Sequence, residues 1–194
     1  CIANGIDEKT ANKIYDEMTD FAKYAFNKSH AAAYAVVSYQ TAWLKYYYPV
    51  EYMAALMTSV IDNPGKVAEY IYSCRQMGIK ILPPDINHGY SSFSVDNGSI
   101  RYGLAAIKSI GRPVIKEIVA ERKANGEFKN LKDFIERMSG KDINKRTIEN
   151  FIKSGAFDEL GGTRKQFMVI YVQILDQVNR EKKNSMTGQM SLFD

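Results

Sequence analysis

The chain has 194 residues, 45% of them hydrophobic and 25% charged, with a formal charge of +4 and two cysteines. That mix suits globular rather than disordered protein in one or two domains, and Cys1 and Cys74 are too few for a disulfide framework, so a reducing, cytoplasmic setting is expected. The most apolar run, 31–48, carries Gln40, Lys45 and several tyrosines, which argues against a membrane span.

Residues 7–25 place Ala11, Ile14, Tyr15, Met18 and Ala22 at three- and four-residue steps, which predicts an amphipathic helix. A second helix is expected from Ser29 until Pro49 stops it, and Pro49 then suits the first position of a third, to about Val60. Asn63 is placed to cap a fourth helix that Pro64 opens and Gly78 closes. Pro83-Pro84 marks a boundary, after which two short alternating stretches flank Asn97-Gly98, the signature of a tight β-hairpin. A short helix is expected at 104–108, and longer ones at 113–124, 131–138 and 145–153, with Gly126 and Gly155 ending the first and last of these three. Thr163 and Gln166 have capping-box spacing ahead of a final helix to about Val178. The expected fold is mainly α with one small β-hairpin, divided as 1–82, 83–178 and a flexible tail 179–194.

Charge is uneven along this order. Residues 101–165 hold 15 Lys/Arg against 9 Asp/Glu, whereas residues 1–100 hold 8 against 10. A basic segment of this kind suits a polyanion partner, or is simply a solvated face.

Three stretches have chemistry worth weighing. In 23–45, His30, Tyr34, Ser38, Thr41 and Lys45 fall on one helical face, with Lys28 at the start, where the helix dipole favours an anion. Such a face could hold a phosphate chain and stack on a base, or it could be ordinary helix packing. In 100–122, the expected short helix, Ser109-Ile110-Gly111 and a following helix resemble a helix-hairpin-helix, whose tight turn offers backbone N–H groups to a phosphate oxygen. Lys108, Arg112 and Lys116 surround it, and Ser109 stands where the usual first glycine would be. A similar turn recurs at Lys153, Ser154 and Gly155. Two such turns in the basic segment point to DNA binding without sequence preference. The third stretch is the tail: after the polar run 179–188, Leu192 and Phe193 stand side by side with no core to enter, as in a peptide meant for another protein's pocket. The sequence has no Walker A loop, CxxC pair, HExxH or clustered carboxylates, and Asp85 in LPPDIN reads as a cap.

Taken together, the block FNKSHAAAYAVVSYQTAWLKYYYPVEYMAALMTS resembles the fingers helices of the bacterial DNA polymerase III alpha subunit. LPPDIN, FSV…IRYGLAAIKSIG and IKSGAFDELG resemble the region that follows the fingers, and QMSLF is similar to that family's sliding-clamp motif. The resemblance runs in order through nearly the whole chain. It implies a segment of a replicative DNA-directed DNA polymerase, a nucleotidyltransferase, that is not catalytic alone. The fingers part, with Lys28, Ser29, His30, Tyr34, Gln40 and Lys45, would bind the incoming dNTP. Lys108, Ser109, Gly111, Arg112, Lys116, Lys153, Ser154 and Gly155 would hold double-stranded primer-template DNA. Gln189, Met190, Ser191, Leu192 and Phe193 would bind the sliding clamp (beta subunit), and other replisome subunits would be met through the full-length protein. The resemblance implies no cofactor in this stretch, with Mg²⁺ held by palm aspartates upstream of Cys1. The alternatives are a free-standing adaptor joining duplex DNA to the clamp, and a repair glycosylase using Asp158.

Overall fold

Several helices begin where a side chain satisfies one of their first amides. Asp7 accepts from the Thr10 N–H at 3.0 Å ahead of α1 (Glu8–Lys23), and Asn63 accepts from the Lys66 N–H at 3.1 Å ahead of α4 (Pro64–Gln76). The computed structural model describes residues 1–23, 28–141 and 143–190; of residues 23 and 184–190 it describes the backbone alone. Besides α1 and α4, its helices are α2 (Lys28–Tyr47), α3 (Pro49–Ser59), α5 (Arg112–Asn125), α6 (Leu131–Met138), α7 (Lys145–Ser154) and α8 (Arg164–Met190). Among the described residues, none of these is long and apolar enough to cross a membrane.

The chain divides into two units, 1–47 and 48–194. The first holds α1 and α2. No described residue of α2 is buried, and Tyr34, Tyr39, Tyr46 and Tyr47 are all more than half exposed.

The second unit contains β1 (Ile81–Leu82), β2 (Ser94–Asp96) and β3 (Ser99–Arg101), ordered β1-β3-β2. The hairpin forms at the expected dipeptide: Asn97 and Gly98 both have positive φ, at +48° and +75°, and Ser94 pairs with Arg101. Strand β1 was not expected. It pairs parallel to β3, Ile81 beside Ile100, so the sheet has three strands and mixed directions. The fold is mainly helical with this small sheet.

Two hydrophobic clusters fill the unit. One gathers Met53, Met57, Val67, Cys74, Phe93 and Ile100 from α3, α4 and the sheet. The larger is centred on Phe128, Phe134, Phe151 and Phe157, with α5, α6, α7 and α8 around it. Ala105 packs against both clusters.

Polar side chains fix α5 within this frame. Its Arg122, buried, donates to the Ile86 carbonyl at 2.8 Å and lies 4.9 Å from the centre of the Tyr90 ring. Glu121 meets Lys141, Asn125 and Arg137 together, and those donors hold its carboxyl down at about 2. Asp85 caps its own loop, as expected, accepting from the Asn87 and His88 N–H groups at 2.7 and 2.8 Å.

The final helix differs from expectation in length. The Thr163–Gln166 capping box forms reciprocally, at 2.9 and 3.2 Å. The helix then continues past Val178 to Met190, so the part of the expected tail up to Met190 is helical. Its apolar stripe ends at Val178, but Gln177 bonds Glu181 one turn on and Lys182 reaches the Ser139 carbonyl, and both contacts reward helical backbone there.

Candidate nucleic-acid interface

The chain enters the 107–111 turn from a 3-10 turn at Leu104–Ala106 and leaves it into α5. The Ile110 N–H bonds the Ile107 carbonyl at 3.2 Å, closing a four-residue turn with Ser109 in its third position. Ser109 adopts φ +64°, the left-handed conformation that glycine takes most readily. A serine takes this conformation less readily than glycine, so the turn needs support from elsewhere. Two side chains of α7 hold it in place: Asn150 donates to the Lys108 carbonyl at 3.0 Å, and Arg146 donates to Ser109 Oγ at 3.3 Å.

Gly111 has a different meaning. Its φ is −75°, open to any residue, and a Cβ there would meet only Pro113 Cδ, at an ordinary 3.6 Å. Neither its conformation nor its neighbours among the described residues demand glycine. Its bareness leaves the backbone open to approach from outside, at the start of a 14-residue helix.

The charges around the turn are largely uncommitted. Among the described residues, Lys108, Lys116 and Arg146 form no ion pair. Arg112 meets Asp62 at 3.1 Å, but both side chains are mostly exposed, so a phosphate could replace the carboxylate at little loss. Two clefts flank the turn. One, of about 430 Å³, is lined by Asp62, Pro64, Ala106, Lys108 and Ser109; the other, of about 290 Å³, by Tyr90, Ser91, Ser92, Arg112 and Lys116.

The second turn is built otherwise. Gly155 ends α7 at φ +87°, and its N–H and that of Ala156 are consumed by the Ile152 and Phe151 carbonyls. Lys153 is paired with Glu149. Arg164 covers Gly155, held by Asp158 and by the Lys153 carbonyl. Asp158 is therefore engaged as an ion-pair partner.

On α2, His30 and Tyr34 lie ring to ring at 4.3 Å, in the same half of the helix as Lys28 and Ser29. Lys45, in the last turn, is about 25 Å further along the axis. Gln40 is turned off the His30–Tyr34 face by about 100° and lines a cleft with Tyr39, Trp43 and Leu44. The helix thus brings His30 and Tyr34 together in its first half, where Lys28 and Ser29 also lie on other faces, and sets Gln40 and Lys45 apart. Gln189 and Met190 have backbone positions only, at the end of α8, while Ser191, Leu192 and Phe193 lie outside the described residues. Among the described residues no group of three or more His, Cys, Asp or Glu side chains is placed to hold a metal ion.

Arg146 and Asn150 were missed in the sequence. They stand 37 and 42 positions from the groups they bond, and no local pattern connects them.

Comparison with known proteins agrees with this geometry. The family described as "Helix-hairpin-helix motif" matches residues 78–167, the span that contains both turns. The chain is 46% identical over 191 residues to "DNA polymerase III subunit alpha" of Vibrio cholerae serotype O1, a match covering 98% of this chain. The chain is homologous to a segment of the DNA polymerase III alpha subunit. Identity is 47% over 191 residues with the alpha subunit of Escherichia coli K12 and 42% over 191 residues with that of Mycobacterium tuberculosis H37Rv. The chain spans 16% of the length of these alpha subunits.

Proposed function

We propose that this chain is the part of a replicative DNA polymerase that grips the backbone of duplex DNA, with the 107–111 turn as its main contact. The observation that carries the reading is Gly111, a glycine that nothing among the described residues requires, set among Lys108, Arg112 and Lys116. Amide contacts to phosphate are blind to sequence, which suits a polymerase that must hold every template alike. Homology over 98% of the chain to polymerase subunits favours this over a free-standing adaptor. With its cation paired and its amides consumed, the turn at Lys153, Ser154 and Gly155 would be the weaker half of the grip.

Fluorescence anisotropy with a short labelled duplex, followed across KCl concentrations, tests this. K108Q and R112Q should each lower the slope of log affinity against log salt by about 0.9, and K153Q by less than half as much. Unchanged slopes for K108Q and R112Q would refute the contact.

The remaining assignments extend the same reading. Residues 1–82 would be the end of the fingers, with Lys28, Ser29, His30 and Tyr34 facing the triphosphate of an incoming dNTP. Nucleotidyl transfer itself, with its Mg²⁺, we assign to other segments of the polymerase. Gln189 would sit at the rim of a sliding-clamp pocket, with Leu192 and Phe193 on its apolar floor. Burial of those two side chains would contribute roughly 1.5–3 kcal/mol each, before ordering costs, for micromolar-class affinity. Calorimetric titration into a bacterial sliding clamp should give heat with the full chain and none with a version ending at Gly188. Equal heat from both would move the clamp contact elsewhere.

A further inference from the structure

Arg146 enters the 107–111 turn from α7, outside the Lys108, Arg112 and Lys116 set that the grip as described assigns to that turn. Its Nη2 donates to Ser109 Oγ at 3.3 Å, across 37 positions of sequence. We propose that Arg146 is a phosphate-binding residue of the 107–111 turn, so that α7 supplies a cation to the same phosphodiester that the start of α5 receives. This rests on the reading of that turn as a DNA contact.

Three features of the site carry the inference. First, Arg146 is exposed and, among the described residues, forms no ion pair, so no described carboxylate takes up its charge. A guanidinium has five N–H donors in a planar fork, and the Ser109 hydroxyl takes only one, leaving the geometry that suits phosphate oxygens. Second, the Ser109 hydroxyl accepts from Arg146, so its own proton is available to a second acceptor. Serine in this left-handed position thereby adds a donor and an anchor that glycine would lack. Third, the turn is held from the same helix. Asn150 fixes the Lys108 carbonyl, and in a planar trans peptide this also sets the direction of the Ser109 N–H. Arg146 and the turn amides are therefore held in one register rather than meeting by chance.

The test uses the full chain, a short fluorescent DNA duplex and a KCl series. R146Q should weaken binding about tenfold and lower the salt slope by about 0.9, with an unchanged melting temperature. R146K should restore the slope while recovering only part of the affinity, because an ammonium keeps the charge and loses the fork. S109A should weaken binding with the slope retained. If R146Q keeps the parental slope while K108Q and R112Q lose theirs, Arg146 is a brace only; the inference falls and the turn reading stands. If none of the three changes the slope, or the parent chain does not bind the duplex, both fall together.

Discussion

Replacing Phe134 with alanine is expected to destabilise the 48–194 unit by about 3–5 kcal/mol. Phe134 is fully buried and stands at the centre of an aromatic group, with ring centres 5.0 Å from Phe128, 4.9 Å from Phe157 and 6.3 Å from Phe151. Those partners are anchored on α7 and on the loops flanking α6 and α7, so they cannot all collapse into the space left behind. The removed ring loses its transfer free energy, its edge-to-face contacts and part of the cavity's surface at once. A domain of ordinary stability has only about 5–15 kcal/mol in total. F134A should therefore shift the midpoint of urea unfolding strongly, and F134L, which restores most of the volume, should recover about half. A loss below about 1.5 kcal/mol for F134A would mean that the cluster can repack, and that α6 is not the centre of this core.

Gly103→Ala is expected to destabilise the same unit by about 2–4 kcal/mol, a large effect for a single methyl. The backbone conformation is not the reason, since φ is −68°. The reason is closeness: the new Cβ would stand 2.8 Å from Phe93 N and from Ser92 C, and 2.9 Å from Ser91 O. All three are main-chain atoms and cannot swing aside. They are also pinned, because the Leu104 N–H bonds the Tyr90 carbonyl at 2.8 Å and the Ala105 N–H bonds the Ser91 carbonyl at 3.1 Å. Accommodating a methyl means moving the 90–93 segment away from the 3-10 turn, which strains both bonds and the Phe93–Tyr102 ring contact at 5.0 Å. Equilibrium unfolding of G103A beside Gly111→Ala is the informative pair, because the second methyl meets nothing closer than 3.6 Å. G111A should leave stability within about 0.5 kcal/mol while weakening DNA binding. Equal destabilisation by the two would show that close packing at Gly103 is not what the glycine serves.

How much of this was legible in the sequence depends on the range of the interaction. Helix starts were readable because a cap acts over three residues: Asn63 with Lys66, and Thr163 with Gln166, are visible as spacing alone. The hairpin was readable because Asn97-Gly98 favours the positive φ angles that both residues adopt. Strand β1 was not, since a two-residue strand before Pro83-Pro84 has no alternation to detect, and its pairing with Ile100 is set by the tertiary fold. The end of α8 was misjudged because apolar periodicity stops at Val178, while the helix continues on polar contacts that periodicity does not register. At the candidate site, Lys108, Gly111 and Arg112 could be singled out because a turn and its charges are neighbours in sequence. What separates the two turns was invisible. Glu149 beside Lys153, and Arg164 over Gly155, convert the second into a closed helix end, and only packing reveals it.

Ala105 touches both hydrophobic clusters, and the 3-10 turn that carries it runs directly into the grip. A grip formed by that turn would therefore have no stability of its own to fall back on. Local opening of either cluster removes one wall of that turn, so occupancy of the DNA-competent shape is tied to cooperative folding of the whole 48–194 unit. A genetic screen for lost DNA binding would return core substitutions on either side of Ala105, remote from any phosphate, alongside true contact residues. The two kinds differ in kind and not in strength: the remote ones reduce the fraction of competent molecules, and each molecule that does fold keeps the full ionic-strength dependence of the intact turn.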